Sequence, residues 1–237
     1  MATDTVIESF RNDLFPGYKS SVGVEPELLA QFPLAERAFE ALGVVCWRMR
    51  EFEADDAIAT AAFRFVDEVE QVVICTPDKD MAQCVIDDRI VTLNRRQQSI
   101  MDEPGVWEKF GVGPESIPDY LALVGDTADQ VPGLPGWGAK SAAAVLARWR
   151  KLEAIPAEVT DWQVTVRGGA KLAETLRLRR EDALAYRTLT TLRRDVPLAE
   201  TLDDLHWRGV HRTDFLALCE ELGFDDVQTR PHRWGDD

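Results

Sequence analysis

The sequence predicts an α/β fold, a mostly parallel sheet flanked by helices, followed by a helical region. Three observations carry this expectation. Short apolar runs alternate with helical stretches between Gly43 and Met101. Acidic groups directly follow two of those runs, at Glu53 and Asp78. From about Glu103 onward no strong strand signal returns. Strand–helix alternation implies parallel pairing with helices on both faces. Open sheets of this kind hold their ligands beyond the carboxyl ends of the strands.

The elements follow in order. Gly43–Trp47 is a short β-rich run, and Ala54–Phe65 has helical spacing. Val72–Thr76 is a strand, with β-branched residues dominating it. Asp80–Val85 reads as a short helix, Arg89–Leu93 as another strand, and Gln97–Met101 as a run pairing beside it. Ala142–Trp149 is helical and is preceded by the glycine-rich segment Gly133–Ser141. With 237 residues, 45% of them hydrophobic, a sizeable core is expected. The division expected is an α/β metal-binding core over 1–110 and a helical region over 111–237, with a helix–hairpin–helix at about 133–150. No apolar run approaches a membrane span, and no basic-then-apolar leader opens the chain. Cys46, Cys75, Cys84 and Cys219 lack metal or redox spacing and read as reduced thiols of a cytoplasmic protein. The aromatics after Trp207 and the acidic end Asp236-Asp237 show no readable function.

Seven carboxylates fall in three tight groups: Glu53, Asp55 and Asp56; Asp78 and Asp80; Asp126 and Asp129. Singly, such acids serve helix N-termini or solvated turns. Converging, they would repel and raise one another's pKa until a cation compensated them. Oxygen-only ligands suit Mg²⁺ or Mn²⁺, and two such ions side by side are a recurring apparatus of phosphodiester cleavage.

The net charge of −15 hides an uneven distribution. Residues 1–136 carry 11 basic and 25 acidic side chains, residues 137–194 carry 12 and 6, and the remainder 4 and 11. A basic surface beside an acidic cleft fits a protein that grips a phosphate backbone in one place and holds cations in another. Glycines ahead of a helix expose N–H groups suited to phosphate oxygens. A P-loop is excluded for Gly133–Ser141, because Ala139 separates Gly138 from Lys140 and no strand precedes. A helix–hairpin–helix clamping one DNA strand fits better. Phe10–Lys19 is a turn-rich stretch holding two cations and aromatics.

Taken together, these motifs resemble the 5′-nuclease family of flap endonucleases and the 5′–3′ exonuclease domain of bacterial DNA polymerase I, over nearly the whole chain from Asp4 to Phe224. Phe-Arg-x-x-Leu-x-x-x-Tyr-Lys resembles the start of the family's helical arch. Glu-Ala-Asp-Asp, Thr-x-Asp-Lys-Asp and Gly-Asp-x-x-Asp resemble its metal-ligand motifs, and Gly-x-x-Gly-Trp-Gly-x-Lys-Ser its helix–hairpin–helix. The resemblance implies a PIN-like 5′-nuclease core. Its metal ligands or water-mediated partners would be Asp4, Glu53, Asp55, Asp56, Asp78, Asp80, Asp126 and Asp129. It implies catalytic roles for Lys19, which steadies the scissile phosphate, and Arg11, which helps it. It implies DNA contacts by Tyr18, Gly133, Gly136, Trp137, Gly138, Lys140 and Ser141.

The cofactors implied are two Mg²⁺ ions, with Mn²⁺ as substitute, and a K⁺ at the hairpin. The partners implied are DNA with 5′ flaps, nicks or 5′ ends, and a DNA polymerase acting in trans; the localisation implied is cytoplasmic and nucleoid-associated. Two departures stand out. The family pattern begins about sixty residues before Met1, with a strand ending in a further Asp, which implies a late start or a divergent member. Lacking that strand, a parallel sheet would hold a hydrophobic slot and an open edge. The family's arch also carries an Arg shortly after its Lys, where this chain has Ser20-Ser21-Val22. Two alternatives are set against the nuclease: a DNA-binding relic whose chemistry is lost, and a haloacid-dehalogenase-type phosphatase. The second is disfavoured because Met81-Ala82 does not supply the Thr or Ser that its motif needs.

Overall fold

The computed structural model describes residues 1–235; the end Asp236-Asp237 lies outside the described residues. β1 (Ala2–Asp4) pairs in parallel with β2 (Trp47–Met49), joined by α1 (Phe10–Leu14), α2 (Pro26–Leu29) and α3 (Phe32–Ala41). α4 (Ala54–Phe65) leads to β3 (Val72–Cys75), which is parallel to β4 (Ile90–Asn94). β5 (Ser99–Met101) returns antiparallel to β4. Helices then follow: α5 (Glu103–Phe110), α6 (Ile117–Val124), α7 (Ala139–Trp149), α8 (Gly169–Leu178), α9 (Arg180–Thr190) and α10 (Arg212–Leu222).

The α/β-then-helical order matches the expectation, with two corrections. The single sheet is two, ordered β1-β2 and β3-β4-β5, and no ladder joins them among the described residues. An apolar cavity of about 250 Å³ separates them, lined by Trp47, Val72 and Ile74 with Ile58, Phe65 and Leu205. The strand expected at Gly43–Trp47 runs instead from Trp47 to Met49. Residues 43 and 44 close α3 through Gly43 N–H to Glu40 O and Val44 N–H to Phe39 O, and pairing starts where Trp47 N–H reaches Met1 O. The short helix expected at Asp80–Val85 is present as a fully buried 3₁₀ helix over Asp80–Cys84.

α4 has the bounds that its sequence suggests. Asp56 Oδ2 accepts from the Glu53 N–H at 3.0 Å, a side chain reaching back to cap the helix start after β2. Its buried face is Ala57, Ala59, Ala62 and Phe65, small enough to approach strands of both sheets. One buried cluster joins Ile74, Met81, Cys84 and Ile90 to the alanines of α4. The larger core gathers Leu121, Leu123, Leu146, Leu152, Trp162 and Leu189 from the helical region, with Tyr18 and Val106 from the first half. At roughly 25 cal/mol per Å² of apolar surface, that shared burial is the main force fixing the helices beside the acidic motifs.

Candidate metal centre and nucleic-acid interface

Two turns build the deepest part of the site. Beyond β3, Thr76 Oγ1 accepts from the Asp78 N–H at 3.0 Å and Asp78 Oδ1 accepts from the Asp80 N–H at 2.9 Å. These turns carry Asp80 inward to 6% exposure, where its Oδ1 has no hydrogen-bond partner. Beyond α6, Gly125 has φ +85°, and a Cβ there would lie 2.7 Å from Val131 O. Asp126 follows it into a tight turn, exchanging backbone bonds with Val131 while its Oδ1 accepts from the Ala128 N–H at 2.9 Å. One oxygen each from Asp80, Asp126 and Asp129 lie within 4.8 Å of one another.

A buried carboxylate oxygen lacking a donor is costly unless a cation takes it. Burial first, then Asp78 and Asp126, push the Asp80 carboxyl well above its ordinary range, and burial raises Asp129 too. Asp126 goes the other way: burial would raise it, but the Lys79 ammonium, 2.8 Å from Oδ2, together with the Ala128 N–H on Oδ1 brings it below its ordinary range. The donor set is all oxygen and fits a hard divalent ion.

Asp4, Glu53, Asp55 and Asp78 lie near enough to influence one another's charge, but among the described residues no three of their oxygens converge as those of Asp80, Asp126 and Asp129 do. Asp4 ends β1 and accepts from the Ala54 N–H at 2.6 Å; burial still raises its carboxyl. Burial and then the charge of Asp78 push Asp55 up to about 7, with Asp4 and Glu53 adding to this. Lys19 links the two groups, its Nζ 3.0 Å from Glu53 Oε2 and 3.1 Å from Asp129 Oδ1. Burial opposes the Lys19 charge, yet Glu53 and Asp129 hold the ammonium above its usual pKa.

Five expected roles are corrected. Asp56 has no lone pair left for a metal: Oδ1 accepts from Arg11 and the Arg193 N–H, and Oδ2 from Arg11 and the Glu53 N–H. Arg11, 1% exposed, is spent on that bidentate pair and on the carbonyls of Leu189 and Thr191, so it cannot help Lys19 at a phosphate. Tyr18 is 3% exposed and its hydroxyl donates to Glu53 Oε2 at 3.3 Å, which makes it a positioning group rather than a DNA contact. Trp137 is buried against Trp162, with ring centroids 5.7 Å apart. Gly133 is buried where a Cβ would strike the backbone of Gly125 and Val124.

What remains of the hairpin is a surface cavity of about 540 Å³ lined by Gly136, Gly138, Lys140 and Ser141, with Thr165, Val166 and Arg167 opposite. Ser141 Oγ accepts from the Gly138 N–H at 3.1 Å and donates to its carbonyl at 3.0 Å, starting α7 with Lys140 exposed in its first turn. Arg167 and Lys79 escape the motif reading. Arg167-Gly168-Gly169 before α8 repeats the glycine-before-helix signal and could have revealed the first.

Comparison with known protein families places both halves of the chain. Residues 1–111 match the 5′–3′ exonuclease N-terminal resolvase-like domain, and residues 112–213 match the 5′–3′ exonuclease C-terminal SAM fold. The chain belongs to the 5′-nuclease family. It is 36% identical over 230 residues to DNA polymerase I of Bacillus caldotenax, covering 94% of this chain and 25% of that one. It is 36% identical over 225 residues to DNA polymerase I of Pseudomonas aeruginosa, covering 91% and 24%. The chain thus spans about a quarter of the length of these relatives. Among solved structures, T5 5′-exonuclease with bound zinc has a TM-score of 0.67 at 19% identity, over 92% of this chain and 82% of that one. The catalytic core of Rad2 in complex with DNA substrate has a TM-score of 0.56 at 14% identity, over 93% and 71%.

Proposed function

We propose that the chain is a divalent-metal-dependent 5′–3′ exonuclease and flap endonuclease that hydrolyses DNA phosphodiesters. The observation that carries this is the convergence of Asp80, Asp126 and Asp129, with the orphaned Asp80 Oδ1 turned inward and Lys19 alongside. Asp80, Asp126 and Asp129 would hold one Mg²⁺, and Asp55 with Asp4, Glu53 and Asp78 the other. When bound, such ions activate water and neutralise the leaving oxygen.

The chain's own residues do the rest. Ser9 Oγ donates to Glu53 Oε1 at 2.6 Å and Tyr18 to Oε2, so Glu53 keeps its orientation. Lys19, with 21% of its side chain exposed, is the cation able to turn toward a phosphate and stabilise the charge that develops there. The hairpin around Gly136–Ser141 and Arg167 grips duplex phosphates, and a K⁺ held at the hairpin would add positive charge beside them. That grip is independent of sequence. A DNA polymerase supplied in trans would pass it 5′ ends.

The test is incubation of the purified chain with a labelled 5′-flap duplex. We expect cleavage near the flap junction with Mg²⁺ or Mn²⁺, none with chelator, and none with Asp80→Asn. DNA binding without cleavage, even with Mn²⁺ and excess protein, would favour the relic.

A further inference from the structure

Lys79 stands between Asp78 and Asp80 with no assigned part in the site. Its Nζ lies 2.8 Å from Asp126 Oδ2, and its side chain is 40% exposed whereas that of Asp126 is 3% exposed. Asp126 Oδ1 is already taken by the Ala128 N–H. Oδ2 carries no backbone bond, and it is the oxygen that Lys79 holds. An ion drawn between the converging oxygens of Asp80, Asp126 and Asp129 would stand within a few ångströms of the ammonium on Asp126, and like charges that close repel strongly in a partly buried site.

We infer that Lys79 is a displaceable counter-ion. It holds Asp126 until a divalent ion arrives, then gives up Oδ2 and turns its half-exposed side chain to solvent. The metal therefore competes with a residue of the chain for its own ligand. This inference rests on the metal-centre reading above. It differs from the role of Lys19, whose partners are Glu53 and Asp129.

Two measurements on the full chain without DNA test it. The first is Mn²⁺ binding, followed by the spectroscopic signal of unbound Mn²⁺. Lys79→Met should tighten binding roughly threefold to tenfold, the worth of a partly buried ion pair. Lys79→Gln should do the same if the Met variant does not fold. The second needs no variant: acetylation of lysines by an amine-reactive ester, read peptide by peptide. Lys79 should be slow to react in chelator and several-fold faster in Mg²⁺. Equal Mn²⁺ affinity in parent and variant, or Lys79 reactivity indifferent to Mg²⁺, overturns the inference while leaving the nuclease reading intact. A parent chain that binds no divalent ion sinks both.

Discussion

Four groups contact the Glu53 carboxylate, and they are not equivalent. Ser9 and Arg11 lie on Oε1, at 2.6 and 3.4 Å, and Tyr18 and Lys19 lie on Oε2, at 3.3 and 3.0 Å. Arg11 is locked by Asp56 and two carbonyls, while Lys19 keeps solvent on one side. The two cations should therefore fail differently. Arg11→Ala leaves Asp56 buried without its counter-charge and should cost about 3–5 kcal/mol of stability, seen in denaturant unfolding. Lys19→Ala should leave stability and duplex binding nearly intact while cutting single-turnover cleavage by orders of magnitude. Equal cleavage rates for Lys19→Ala and parent would remove Lys19 from the chemistry. The residue types at 11, 19, 53 and 56 were legible in the sequence. Which lone pairs they occupy was not, because that depends on the Leu189 and Thr191 carbonyls and the Arg193 N–H, more than 130 positions away along the chain.

At the scale of elements, α4 was legible to the residue because its start is a local device, the Glu53–Asp56 cap. The first strand pair was less so, since Trp47–Met49 is fixed by pairing with Ala2–Asp4 and no local pattern announces that partner. The hairpin shows the same limit. Its glycines signalled a helix start, but the opposite wall comes from residues 165–167, just ahead of α8. If Lys140 and Arg167 face one phosphate backbone, each single substitution to Ala should weaken binding at every sequence. Each should also make the slope of log affinity against log salt shallower by about one, measured by fluorescence anisotropy. An unchanged slope for both would mean that duplex DNA is held elsewhere, for example by the exposed Arg95 and Arg96 of the β4–β5 turn.

For the whole molecule, the acidic rim makes stability depend on pH and on metal together. Asp4, Asp55, Asp80 and Asp129 all hold protons more tightly when folded, burial being the first cause in each, and Asp55 reaches about 7. Between the unfolded value of 3.8 and that folded value, the native chain binds more protons than the unfolded one. Stability then falls as pH rises through this window. Asp126, shifted down from 3.8, opposes this trend only below the window, and Lys19, shifted up from 10.5, acts in the same direction only above it; burial lowers the Met1 amine from 8.0, which offsets part of the fall near the top of the range. Without divalent ions the melting temperature should therefore drop between pH 5 and pH 8, by ~2–4 °C for each kcal/mol lost in a chain of this size. Mg²⁺ binds the ionised acids, so it should restore most of the loss at pH 8 and little at pH 5. Asp55→Asn should flatten the metal-free slope, because its amide carries no charge to be buried. A scanning calorimeter reads all three. A melting temperature that stayed level from pH 5 to pH 8, or a Mg²⁺ gain equal at both ends, would mean that these carboxyls share no ion and the rim is only a solvated acidic surface.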